Sequence, residues 1–125
     1  MNILVIDDER ITHRMISMIL KRGGHETMTA ESVPAALEIL RTMPVDLVTC
    51  DLMMPGQSGL DFLRIVKADP ALAALPVIII SAAGHATELD QAIDLGAAAV
   101  VNKPFTTREL EAVVTAHLPK KAHDD

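Results

Sequence analysis

The sequence predicts an α/β fold: a single domain with a doubly wound parallel sheet and helices on both of its faces. Three observations carry that prediction. Strand-like runs recur five times, at Asn2–Ile6, His25–Thr29, Val45–Cys50, Pro76–Ile80 and Val100–Val101. The stretches between and after them return their apolar residues at helical spacing. Strands alternating with helices imply right-handed crossovers, which bury the sheet on both sides. No composition shift or linker divides the 125 residues, so residues 1–119 read as one domain and 120–125 as a polar tail.

Asn2–Ile6 is an apolar run ending at Asp7-Asp8, as a first buried strand would. Ile11, Met15, Met18 and Ile19 follow at helical spacing, so the first helix should set these against the core; Gly23-Gly24 stops it. His25–Thr29 alternates and suits an edge strand. Val33, Leu37 and Leu40 give the second helix its face, with Ser32 as cap and Pro34 in the first turn. Val45–Cys50 is a strand buried on both faces, with Asp51 at its end. Pro55, Gly56 and Gly59 turn the chain before Phe62, Leu63 and Val66 face the core from a third helix, broken at Asp69-Pro70. Pro76–Ile80 is the strongest strand, ending at Ser81. Leu89, Ala92 and Ile93 mark the inward face of a fourth helix closed by Gly96. Val100-Val101 form a short last strand before Asn102-Lys103-Pro104. Thr106-x-x-Glu109 reads as a capping box opening a fifth helix whose face holds Leu110, Val113, Val114 and His117; Pro119 ends it.

Composition removes several functions. Half the residues are hydrophobic, yet Phe62 and Phe105 are the only aromatics, so the core is aliphatic. A net charge of −6, with no basic run interleaved with rings, disfavours direct nucleic-acid binding. Cys50 is the single cysteine; it rules out an internal disulfide, fits a reducing compartment, and reads as a small core residue. No apolar run approaches membrane-spanning length and Met1–Ile6 leads straight into acids, so a soluble cytoplasmic protein is expected. The five histidines show no ligand spacing.

The chemistry gathers where the strands end. Asp7 and Asp8 follow the first strand, Asp51 the third, Ser81 the fourth and Lys103 the fifth. In a parallel sheet those ends share one edge, where open α/β folds place their ligand crevice. Three clustered carboxylates repel one another, and a hard divalent cation such as Mg²⁺ relieves that repulsion. Lys103 adds a fixed positive charge and Ser81 a hydroxyl, while small Ala82, Ala83 and Gly84 leave the site open. These are the parts that phosphoryl transfer to a carboxylate needs, with Asp51 as nucleophile. Pro104 suggests a cis Lys103–Pro104 bond.

The ordered set Asp7-Asp8, the D-x-x-M-P-x-x-S-G run from Asp51 to Gly59, Ser81-Ala82, Gly96-Ala97 and Lys103-Pro104-Phe105 resembles a response-regulator receiver domain of the CheY-like family, over essentially the whole chain. The resemblance implies a flavodoxin-like (βα)5 three-layer sandwich with strand order 2-1-3-4-5. It implies a two-component switch, not a turnover enzyme, that assists its own phosphorylation and dephosphorylation. Asp51 would accept the phosphoryl group from a histidine kinase or histidine phosphotransfer protein. Asp8, Asp51 and the Met53 backbone carbonyl would ligate Mg²⁺ (Mn²⁺ can substitute), with Asp7 acting through water. Ser81 and Lys103 would grip the phosphoryl oxygens, with Ala82, Val100 and Pro104 in supporting positions. A downstream protein would dock on the fourth helix, fifth strand and fifth helix; surface residues of the first helix (Arg10, His13, Arg14, Ser17) would bear on partner choice. The domain is expected to be a monomer or weak dimer, and a stand-alone receiver is favoured over one excised from a larger regulator or hybrid kinase.

Two departures stand out. Val100 occupies a position where the family often has an aromatic, so a ring-flip switch is not available. Met53 sets a bulky apolar side chain beside the phosphoacceptor, which would slow hydrolytic water. An aspartyl-phosphate phosphohydrolase of dehalogenase type would need an acid at Met53, and a flavin carrier would need the Tyr or Trp rings that this chain lacks.

Overall fold

The structure is a computed structural model that describes residues 1–54, 56–82, 84 and 86–119. Pro55, Ala83, His85 and the tail expected at 120–125 lie outside the described residues. The elements run β1 (Asn2–Ile6), α1 (Arg10–Arg22), β2 (Glu26–Ala30), α2 (Val33–Thr42), β3 (Leu47–Asp51), α3 (Gly59–Ala68), β4 (Val77–Ser81), α4 (Ala86–Asp94), β5 (Ala99–Asn102) and α5 (Thr107–His117). All strand pairs are parallel, in the order β2-β1-β3-β4-β5.

Alternation along the strands divides the core in two. Ile3, Val5, Leu47, Ile78, Ile80 and Val101 meet Ile16, Ile19 and Leu20 of α1 and Leu110 and Val114 of α5. Leu4, Ile6, Val48, Cys50, Val77 and Ile79 face the opposite side, against Ala36 of α2, Phe62, Leu63 and Val66 of α3 and Ala92 of α4. Both faces are therefore covered, which is why β3 and β4 are buried at every position. β2 is an edge strand, one residue later than the sequence suggests, and among the described residues its only strand partner is β1.

Two helical faces differ from expectation. On α1, Ile19 is buried as expected, but Ile11, Met15 and Met18 are 84%, 44% and 56% exposed, and Ile16 and Leu20 join Ile19 in the core. The helix carries two adjacent apolar stripes, and spacing alone does not tell which one meets the sheet. On α4, Ala92 is buried and Leu89 packs partly against the core, but Ile93 is half exposed.

The caps are local and polar. Ser32 Oγ accepts from Ala35 N at 3.2 Å, with Pro34 in the first turn of α2. The reciprocal capping box belongs to α3: Ser58 Oγ accepts from Asp61 N at 3.3 Å, and Asp61 Oδ2 accepts from Ser58 N at 2.9 Å. At α5, Thr106 Oγ1 accepts from Glu109 N at 3.0 Å, and the return bond is not formed among the described residues.

Candidate phosphoacceptor site

The site lies at the carboxyl edge of the sheet, where β1, β3, β4 and β5 end. Asp51 is the last residue of β3, pairs in register with Ile80, and is almost wholly buried. Asp7 directly follows β1 and is buried as well; Asp8 beside it is exposed. One carboxylate oxygen from each of these three acids lies within 4.8 Å of the others. Lys103 directly follows β5 and leads into a cis Lys103–Pro104 bond, and its Nζ is 3.6 Å from Asp51 Oδ1.

One lysine does not balance three acids. Burial pushes the Asp51 carboxyl up from 3.8 to about 6; Lys103 opposes the rise, while Asp7, Asp8 and Glu9 add to it. The Asp7 carboxyl is raised too, chiefly by burial, although Glu9 N donates to its Oδ1 at 2.8 Å. Its other oxygen, Oδ2, is buried without a hydrogen-bond partner among the described residues. An orphaned buried carboxylate oxygen inside a ring of hard oxygen donors, short of positive charge, fits Mg²⁺. The acidic cluster is a divalent-cation site.

Ser81, at the end of β4, is buried, and its hydroxyl donates to the Ala82 carbonyl at 3.0 Å rather than to Asp51. Met53, two residues past Asp51, is 55% exposed. Val100 lies partly buried on β5 opposite Ile79 and packs against the core. Cys50 is buried beneath the site, and burial pushes its thiol far above the ordinary range, which removes it as a nucleophile.

Gly59 holds the turn after Asp51. Its N–H donates to Leu52 O at 2.8 Å, and a Cβ there would stand 2.8 Å from the Asp51 carbonyl and 3.1 Å from Leu52 Cα. Only glycine lets the first residue of α3 lie this close to the backbone of the acceptor. Sequence reading placed Gly59 in the turn but missed this contact and the Ser58–Asp61 box. The signal for the box was present as S-x-x-D at the start of an apolar helix.

Comparison with known proteins agrees with this geometry. Residues 3–115 match the family model described as the response regulator receiver domain. The phosphate regulon transcriptional regulatory protein PhoB of Pseudomonas aeruginosa is 33% identical over 123 residues, 98% of this chain and 54% of that protein. The DNA-binding response regulator MtrA of Mycolicibacterium smegmatis is 34% identical over 116 residues, 93% of this chain and 50% of that protein. The chain thus spans about half the length of the curated relatives it matches. Among solved structures, the receiver domain of NtrX from Brucella abortus superposes with a TM-score of 0.86 at 34% identity, covering 95% of this chain and 99% of that one. No described helix is long and apolar enough to cross a membrane. With its sheet order, its acidic cluster and a family match over most of its length, the chain belongs to the response-regulator receiver domains, the phospho-accepting modules of two-component signalling.

Proposed function

We propose that Asp51 is the phosphoacceptor, taking a phosphoryl group from a phosphohistidine of a kinase or phosphotransfer protein. The observation that carries this is the placement of Asp51: buried at the end of β3, beside two further acids and 3.6 Å from Lys103. A carboxylate oxygen of Asp51 forms the new O–P bond as the N–P bond of the donor breaks, and the imidazole nitrogen leaves with the electron pair. Lys103 neutralises charge on the phosphoryl oxygens and orients them for in-line attack. Asp8, Asp51 and the Met53 carbonyl would hold Mg²⁺, with Asp7 acting through water, and the bound ion would supply the remaining positive charge. Ser81 would leave the Ala82 carbonyl and donate to a phosphoryl oxygen, drawing the β4–α4 connection inward. Because position 100 is valine, the signal would pass to the α4–β5–α5 face through that displacement, not through a rotating ring.

The exposed Ile11–Met15–Met18 stripe of α1 runs away from the site and suits the apolar helices of a donor. Arg14 and Arg22 flank the shallow groove beside it.

The test is phosphorylation by acetyl phosphate with Mg²⁺, followed by intact mass. A single adduct is expected on the wild type and none on Asp51→Asn or after chelation. An adduct that survives Asp51→Asn would move the acceptor elsewhere.

A further inference from the structure

A second feature lies between α1 and the edge strand β2. A groove of about 780 Å³ there is lined along α1 by Arg10, His13, Arg14 and Lys21. Its floor carries Thr27 and Thr29, and Glu31 is the one acid that reaches it. Among the described residues none of the four basic side chains has an ion pair within 4.0 Å. In a chain of net charge −6 the three fixed cations Arg10, Arg14 and Lys21 make a distinct electrostatic surface.

The backbone beneath it is unpaired. Glu26 N donates to Met1 O and Ala30 O accepts from Asp7 N, so Glu26, Met28 and Ala30 turn their polar groups toward β1. In a parallel ladder the intervening residues point the other way. Thr27 and Thr29 therefore present their N–H and C=O groups to the free edge and their side chains to the groove. Ser17, about nine-tenths buried, lines the same groove, and its hydroxyl has no hydrogen-bond partner among the described residues.

We propose that this groove is a docking site for an extended acidic segment of a partner protein, which adds a strand to β2 under the cations of α1. The spacing supports it: alternate side chains of a strand lie about 6.6 Å apart, and Arg10 and Arg14 are separated by about 6 Å along the helix. Acids two positions apart thus meet Arg10 and Arg14 while the main chain pairs with Thr27 and Thr29. A second copy of the chain fits poorly, because β2 against β2 brings two cationic stripes together.

The test uses the ¹⁵N-labelled full chain and a short synthetic peptide alternating glutamate with threonine. A second peptide is N-methylated at every residue, keeping the charge but carrying no backbone N–H with which to pair. The first peptide should slow exchange of the Thr27 and Thr29 amides at least about tenfold, with the second showing no such protection. Combining Arg14→Glu with Lys21→Glu should weaken binding about tenfold, while amide shifts remote from the groove confirm an unchanged fold. Equal binding of both peptides, unprotected Thr27 and Thr29 amides, or stronger binding of a DNA oligonucleotide than of the first peptide would each overturn the proposal.

Discussion

Replacing Asp51 by Asn should make the metal-free protein more stable, not less. The ionised carboxylate is held in a buried position that raises its pKa from 3.8 to about 6. Each tenfold change in acidity corresponds to about 1.4 kcal/mol, so ionised Asp51 costs the metal-free fold about 2–3 kcal/mol. The sign follows from the direction of the shift. A carboxyl whose folded pKa exceeds its unfolded value leaves stability intact below pH 3.8, and stability falls as pH rises through about 6. Asp7, raised in the same direction, adds to the slope. Urea unfolding in EDTA should therefore show wild type weakening between about pH 4 and pH 7, with Asp51→Asn weakening less. At pH 8 the variant should melt about 6–15 °C higher, for a domain of this size. Saturating Mg²⁺ should close the gap, since a ligand at a hundredfold its Kd adds about 2.7 kcal/mol to the wild type. An Asp51→Asn protein no more stable than wild type at pH 8 in EDTA would refute the reasoning, as would an advantage that persists undiminished at pH 4.

Three further outcomes follow from other parts of the molecule. Gly59→Ala should destabilise by about 1–3 kcal/mol, because the new methyl group meets the Asp51 carbonyl and Leu52 Cα; an unchanged urea midpoint would show that the turn yields freely. Met53→Asn should speed loss of the phosphoryl group about two- to tenfold by replacing an exposed apolar shield with a group that can hydrogen-bond water. Decay of a radiolabelled adduct measures it, and an unchanged rate would count against any shielding by Met53. Met15→Glu should cut phosphotransfer from a phosphohistidine donor while leaving acetyl phosphate labelling intact; equal loss with both donors would remove α1 as the docking surface.

The strands were legible because β-branched runs broken by acids, Pro and Gly leave few alternatives, and the acidic cluster was legible because parallel strands end on one edge. Helix faces were less so. α1 has apolar residues at 11, 15, 16, 18, 19 and 20, which cover adjoining stripes, and only packing against Ile3, Val5 and Leu47 selects Ile16, Ile19 and Leu20. Ile93 failed for a related reason: the short α4 buries Ala92 and sets its neighbour outward. The Gly59 contact was invisible because it depends on how closely α3 approaches β3, a distance that no residue pattern encodes. Nor does sequence show which way a hydroxyl turns, as at Ser81.

That hydroxyl bears on how loudly the domain can speak. In the resting molecule Ser81 is already satisfied by the Ala82 carbonyl, a neutral bond within its own loop. Moving it to a phosphoryl oxygen exchanges a bond worth about 1 kcal/mol for a charge-assisted one worth about 1.5–3 kcal/mol. The net bias from this contact is then about 0.5–2 kcal/mol, roughly a 2- to 30-fold shift in populations. A switch driven by that single exchange is graded: some molecules signal before phosphorylation and some stay silent after it. Fidelity would then rest with the partner, whose preference for the rearranged face must supply the rest of the contrast.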